Sequence, residues 1–264
     1  MNEKFKGHLL VSDIDGTLAV GDYVAPSNLQ AVAAFIRAGG TVALATGRSP
    51  QSAVPVARRI NAARLLICNN GASIYDCTDG SVKWEKTLDF ADEIAFARRG
   101  FPNVGVLAYY RDELRAFQGS ECISRLIKSE RLTLSDDEST IANKLLFGAS
   151  PNELAELRVS CEANLDLSKI ELVSADEQYL ELLPNGVGKE QAMLRAADML
   201  GIERDKIYAA GNYYNDVGML DSARLSCTPE DAPEAVCSHA DFIACPCKEG
   251  ALADFIKWLF ATVE

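Results

Sequence analysis

Histidine is scarce in this chain: 264 residues include two, His8 and His239. Protein zinc sites draw on clustered histidine and cysteine, and the eight cysteines offer one close pair, Cys245-Pro-Cys247, with no second pair to complete a ligand set. The spacing therefore argues against zinc. Basic residues are also in short supply. Lys and Arg total 26 against 38 Asp and Glu, a formal net charge of −12. A nucleic-acid backbone or an anionic membrane needs clustered cations, so neither is expected as a partner. No apolar run reaches the roughly 20 residues that span a bilayer. The opening Met1–Gly7 lacks the apolar stretch of a secretory signal, so the cysteines are expected to be reduced thiols in a cytoplasmic protein. Internal repeats and low-complexity tracts are absent as well.

What remains is an ordinary globular composition, 48% hydrophobic and 24% charged, long enough for one large domain or two smaller ones. Its most informative segment is His8–Thr17, His-Leu-Leu-Val-Ser-Asp-Ile-Asp-Gly-Thr. A short apolar run near the N-terminus reads as a buried central strand. The strand's alternation puts Asp13 and Asp15 on one side of the backbone where it leaves the sheet. Two carboxylates so close repel strongly at low dielectric unless something neutralises them. A hard cation such as Mg²⁺, which prefers oxygen ligands, is the usual remedy.

Strand and helix signals alternate through the N-terminal part. Leu9–Ser12 reads as a strand, Pro26–Ala38 as a helix closed by Gly39-Gly40, and Thr41–Ala45 as a strand. Gln51–Ala63 reads as a helix and Arg64–Cys68 as a strand, followed by the turn Asn69-Asn70-Gly71. This alternation implies a parallel sheet with right-handed crossovers. The middle differs. Val82–Thr87, Val104–Tyr110, Asn143–Ala149, Ile170–Ser174 and Tyr179–Leu183 read as strands, with Phe90–Arg99 and Pro151–Ala163 as helices. Short turns between strands point to hairpins and an antiparallel sheet. After Pro184-Asn185-Gly186 the α/β pattern returns: helix Lys189–Leu200, strand Lys206–Ala210, short helix Asp216–Asp221, strands Arg224–Cys227 and Asp241–Ala244, and a closing helix Gly250–Val263. The expected organisation is a discontinuous α/β core, residues 1–82 and 185–264, interrupted by an α+β insert at 83–184.

Four polar segments fall just after strands or at helix starts of the α/β part: Asp13-Ile14-Asp15-Gly16-Thr17, Thr46-Gly47-Arg48, Lys189, and Gly211-Asn212-Tyr213-Tyr214-Asn215-Asp216. Taken singly, each has a plain structural explanation as a turn, a surface ion pair or a solvated lysine. Open parallel sheets bind ligands outside the carboxyl ends of their strands. Together the four would supply carboxylates, a hydroxyl, an exposed backbone and a cation at one sheet edge, a set suited to a phosphoryl group and a metal.

In these segments the chain resembles the haloacid dehalogenase-like (HAD) hydrolase superfamily, and within it the Cof-type branch of sugar-phosphate phosphatases. Asp13-x-Asp15-Gly16-Thr17 looks like the first motif, Thr46-Gly47-Arg48 the second, Lys189 the third and Gly211–Asp216 the fourth. Asn70-Gly71-Ala72 and Met219-Leu220 are similar to that branch too, and the insert lies where the family carries its C2-type cap. The resemblance implies a Rossmann-like parallel core with an α+β cap, and a Mg²⁺-dependent phosphomonoester hydrolase acting on a small phosphorylated metabolite such as a sugar phosphate. It implies Asp13 as the nucleophile that forms an aspartyl-phosphate and Asp15 as general acid and then base, its backbone carbonyl also on the metal. Thr46, Gly47, Arg48, Asn70, Lys189 and Asn215 would bind phosphate or substrate. Asp13, Asp15, Asn212 and Asp216 would hold Mg²⁺.

One position departs from the pattern: the family has Asp after the fourth motif's glycine, and here Asn212 stands there. An amide oxygen can ligate Mg²⁺ but brings no charge, so a weaker metal site is expected. Two other readings follow from the same resemblance. One is a phosphomutase of related architecture, which hands the phosphoryl group to a sugar. The other is a non-catalytic protein that binds a phosphorylated ligand, favoured by Asn212. The oligomeric state is not legible from the sequence.

Overall fold

The computed structural model describes residues 3–21, 23–60, 63–111, 113–124 and 139–263. The chain divides into two compact units: Met1–Trp84 with Gly188–Glu264, and Glu85–Val187.

The first unit is built on an eight-stranded sheet in the order Phe242–Ala244, Leu225–Pro229, Ile207–Ala210, Leu9–Asp13, Thr41–Ala45, Ala63–Cys68, Ser73–Asp76, Ser81–Glu85. Leu9–Asp13 lies at its centre, parallel to Thr41–Ala45 on one side and to Ile207–Ala210 on the other. Every residue of that strand is buried. The near-continuous apolar run has a simple cause, because both faces of the sheet are covered and each must be apolar. Alternate residues feed two separate cores. Leu10, Val42, Leu44, Leu66 and Tyr208 pack with Val32, Phe35, Phe255 and Ile256 of helices Pro26–Arg37 and Ala251–Thr262. Leu9, Val11, Ala43, Ile67 and Ile207 pack with Ala192, Met193 and Ala196 of helix Lys189–Leu200.

Two local readings change on contact with the structure. The helix expected over Gln51–Ala63 runs Pro50–Ile60; residues 61 and 62 lie outside the described residues, and Ala63 is already paired with Val42 in the next strand. Sheet pairing overrides the helical preference there. The sheet is also not parallel throughout. After the turn Asn69–Gly71 the chain returns as Ser73–Asp76, antiparallel to Ala63–Cys68. Four residues carry too little pattern to be read as a strand from the sequence.

The second unit has a five-stranded antiparallel sheet, ordered Glu113–Gln118, Gly105–Tyr110, Lys144–Gly148, Tyr179–Pro184, Ile170–Asp176. Helices Ala91–Gly100 and Pro151–Asn164 cover one face through Ile94, Leu154, Leu157 and Cys161. Ser150 starts the second helix with a reciprocal hydrogen bond to Glu153, as a capping box does. Strand Ile170–Asp176 outruns the expected Ile170–Ser174 by two residues and takes in a register shift after Ser174. The sheet also contains a buried ion pair, Lys144 Nζ to Glu181 Oε1 at 2.6 Å. Among the described residues no helix is long and apolar enough to cross a membrane. All eight cysteines are free thiols.

At the amino end of the central strand His8 Nδ1 meets the Tyr208 hydroxyl at 2.7 Å, with the rings stacked 5.4 Å apart. Burial, with Arg224 and Lys206 adding, pulls the His8 imidazole below its ordinary value. Below about pH 6.5 the unfolded chain takes a proton there that the folded chain resists, so His8 withdraws stability as pH falls. Melting temperatures from pH 7.5 down to 5.5, read as the difference between wild type and His8→Gln, are expected to fall more steeply for wild type. Parallel curves would remove His8 from the acid response.

Candidate active site

The carboxyl ends of the central strands bring the four polar segments together. Asp13 is the last residue of strand Leu9–Asp13, and Gly16, in a left-handed conformation at φ 88°, turns the chain immediately after it. Thr46 follows strand Thr41–Ala45, and Asn69–Gly71 follows Ala63–Cys68. Gly211 follows Ile207–Ala210. Lys189 opens its helix from the other side of the sheet.

Lys189 is the hub. Its ammonium donates to Asp13 Oδ1 at 2.7 Å and to Asp216 Oδ1 at 2.6 Å, and all three side chains are buried. Burial pulls the ammonium down, but Asp13 and Asp216 together outweigh it and hold Lys189 above its ordinary value. This explains a lysine in the first turn of a helix, where the macrodipole disfavours cations. One ammonium serves two buried carboxylates and can offset the charge of only one. Asp13 registers that imbalance. Burial, with Asp216 and Asp15 adding to it and Lys189 opposing it, pushes the carboxyl up to about 7.

Asp216 is fully engaged: while Oδ1 takes Lys189, Oδ2 accepts the backbone N–H groups of Asn212 and Tyr213 at 2.9 and 3.1 Å. Those bonds shape the Gly211–Asp216 loop. Gly211 makes the shape possible, because a Cβ there would sit 2.5 Å from Asp216 Cβ.

Asp15 behaves differently. Its side chain is half exposed and is gripped by Arg48, Nε to Oδ2 at 2.8 Å and Nη2 to Oδ1 at 2.5 Å. Arg48, expected to reach substrate, thus holds a residue of the same site. Its backbone N–H donates to Thr46 Oγ1 at 3.1 Å, and the Asn70 N–H donates to the Thr46 carbonyl at 3.0 Å. Asn215 Nδ2 in turn donates to Asn70 Oδ1 at 3.0 Å. Thr46, Arg48, Asn70 and Asn215 therefore form one hydrogen-bonded rim. Gly47 packs beside it, where a Cβ would press on the Asn70 amide at 3.3 Å.

Two residues gained no role from the sequence. Thr17 is buried with its hydroxyl 3.0 Å from the Asn212 amide; it sits in the quoted first segment, but its partner is 195 positions away. Asn69 is fully buried with a left-handed backbone, and its Oδ1 has no hydrogen-bond partner among the described residues. It was legible only as part of a turn.

The Asn212 amide lies 2.9 Å from the Asp15 carbonyl oxygen and 3.2 Å from Asp13 Oδ2. With its own oxygen turned that way, three oxygens converge, an all-oxygen donor set that fits a hard divalent cation. Side-chain acids alone do not complete such a set: among the described residues no three His, Cys, Asp or Glu side chains are grouped to hold a metal.

A family model described as haloacid dehalogenase-like hydrolase matches residues 10–256. The chain is 26% identical over 228 residues to an HMP-PP phosphatase of Serratia proteamaculans, covering 80% of each protein. It is 23% identical over 252 residues to the 5-amino-6-(5-phospho-D-ribitylamino)uracil phosphatase YcsE of Bacillus subtilis, covering 94% of each. Its fold superposes on a crystal structure of a haloacid dehalogenase-like hydrolase from Bacteroides thetaiotaomicron with a TM-score of 0.83, at 22% identity, over 96% of this chain and 99% of that one.

Proposed function

Since the chain belongs to the haloacid dehalogenase-like hydrolases, we propose that it is a Mg²⁺-dependent phosphatase that hydrolyses a small phosphorylated metabolite through an aspartyl-phosphate on Asp13. The observation that carries this reading is the Asp13 carboxylate, buried at the end of the central strand with Lys189 on one oxygen and Asp15 two residues on. The two curated phosphatases it resembles, one of them named for a phospho-ribityl substrate, support a small substrate with a sugar-like part.

In this mechanism Asp13 attacks phosphorus and the substrate P–O bond breaks. A carboxylate is a weak nucleophile, so the charge of the incoming phosphate must be offset first. Lys189 supplies one buried positive charge for that purpose. Mg²⁺, when bound, would neutralise the remainder; Asp13, the Asp15 carbonyl and Asn212 would hold it, with Asp216 adding charge behind Lys189. Asp15, on the open side of the site, takes a proton from solvent, gives it to the leaving oxygen and then takes one from the water that opens the aspartyl-phosphate. Arg48 must release it for that purpose. The Thr46 hydroxyl, the Gly47 N–H, Asn70 and Asn215 would orient the phosphate oxygens. The inserted unit is the source of substrate choice in this reading. The free thiols support a reducing compartment, the cytoplasm.

The test is release of inorganic phosphate from a panel of sugar phosphates and an aryl phosphate, with Mg²⁺ and with a chelator. Mg²⁺-dependent release that ranks the panel is the expected result. No release from any substrate at saturating Mg²⁺ would overturn hydrolysis in favour of phosphoryl transfer or ligand binding.

A further inference from the structure

We propose that the side chain of Asn212 is a built-in stand-in for the cation: with no metal bound, its NH₂ group faces inward and caps Asp13 Oδ2 and the Asp15 carbonyl, and a cation enters only when the amide turns over. The proposal rests on the phosphatase reading for the identity of the seat, but on this chain's own geometry for the rest.

Three observations carry it. The first is the surroundings of the amide. Its inward atom lies 2.9 Å from the Asp15 carbonyl, 3.2 Å from Asp13 Oδ2 and 3.0 Å from Thr17 Oγ1. An oxygen there would face two pure acceptors and one hydroxyl. A nitrogen there has two protons to share among them, so hydrogen bonding favours the nitrogen. The second is the pivot. The Asn212 backbone N–H is tied to Asp216 Oδ2 at 2.9 Å, which fixes the base of the side chain. Gly16 opposes the amide with no side chain; a Cβ there would lie 2.3 Å from one terminal atom of the amide and 3.1 Å from the other. The amide thus lies closer to the backbone at position 16 than any residue with a side chain there would allow. The third is charge. Two buried carboxylates, Asp13 and Asp216, share the single Lys189 ammonium, which can offset only one of them. An amide NH₂ lowers the cost of a charge on the other, whereas a carboxylate at position 212 would raise it.

With the NH₂ group inward, Asp13 has a donor on each oxygen, Lys189 on Oδ1 and Asn212 on Oδ2. A cation then competes against an internal donor for its place.

Thermal melts in chelator and in Mg²⁺, with Mg²⁺ affinity by calorimetry, test this on wild type, Asn212→Asp and Asn212→Leu. In chelator both variants should melt below wild type, the first through repulsion and the second through loss of the donor. Mg²⁺ should raise Asn212→Asp far more than wild type and bind it about tenfold tighter or better, as an added charged ligand does. Asn212→Asp melting with wild type in chelator, with equal Mg²⁺ responses, would overturn the proposal. A second readout needs no variant to fold without metal. In ¹⁵N-labelled wild type, the Asn212 side-chain NH₂ protons should exchange slowly in chelator and quickly in Mg²⁺. Exchange at the free-amide rate in chelator would overturn it as well. Neither readout involves phosphate release, so an inactive protein could still pass both and an active one could fail both.

Discussion

Asp13→Asn is expected to remove phosphate release almost completely while leaving a folded protein. The substitution keeps the shape of the side chain and its acceptor for Lys189 but deletes the nucleophilic carboxylate. Loss of a residue that forms the covalent intermediate costs on the order of 10⁴- to 10⁶-fold in kcat. Stability should move the other way at neutral pH. The folded Asp13 carboxyl is pushed up to about 7 by burial and by Asp216 and Asp15, against the pull of Lys189. Between about pH 4 and 7 the folded chain therefore holds a proton that the unfolded chain releases, and this contribution is lost as pH rises through that window. An amide has nothing to release, so the metal-free variant should melt higher than wild type above neutrality. Phosphate assays paired with melting curves at several pH values check both halves. Activity within tenfold of wild type would displace Asp13 from the nucleophile's role, and a lower melting temperature at every pH would contradict the charge imbalance.

Lys189→Met is expected to have the largest effect on the fold. Methionine matches the length of the lysine stem, but two carboxylates lose their shared donor in a fully buried setting. Removing one partner of a buried ionic cluster costs about 3–5 kcal/mol. For a chain of this size that is a fall in melting temperature on the order of 10 °C. Repulsion between Asp13 and Asp216 should then hold a proton on the pair at neutral pH, so the variant should regain stability on acidification. The double variant Lys189→Met with Asp216→Asn removes one of the stranded charges and should recover much of the loss. A single variant that melts within 2–3 °C of wild type, or a double variant that melts lower still, would show that the three groups are not energetically coupled.

The parts of this architecture that were legible in the sequence are those where one physical requirement dominates. Leu9–Asp13, Thr41–Ala45 and Ile207–Ala210 are apolar on both faces because helices cover both, and helix Lys189–Leu200 ends where Gly201 takes a left-handed φ of 66°. The polar segments could be placed because each follows a strand or starts a helix, and strands of one parallel sheet all end on the same edge. Pairings between distant short segments were not legible. Ser73–Asp76 and Glu113–Gln118 owe their strand character to neighbours, and the hairpin Ala19–Val20 with Tyr23–Val24 is two residues a side. Within the site, residue types were readable but their partners were not. Nothing in the order Thr-Gly-Arg says that Arg48 will hold Asp15, or that both oxygens of Asp216 will be used inside the fold.

The central position of Leu9–Asp13 also has a consequence for biosynthesis. Its partners on one side are available early, since Thr41–Ala45 follows within about thirty residues. Those on the other side, Ile207–Ala210, arrive only in the last quarter of the chain, after the whole inserted unit. During translation the strand that ends in Asp13 therefore waits with one row of backbone donors and acceptors open, and an open apolar edge invites pairing with other chains. Lys189 and Asp216 arrive on the same late segment. The strand that closes the sheet and the ammonium that faces Asp13 thus both come from the segment after the insert, and a nascent chain stopped before it has neither a finished sheet nor a finished site.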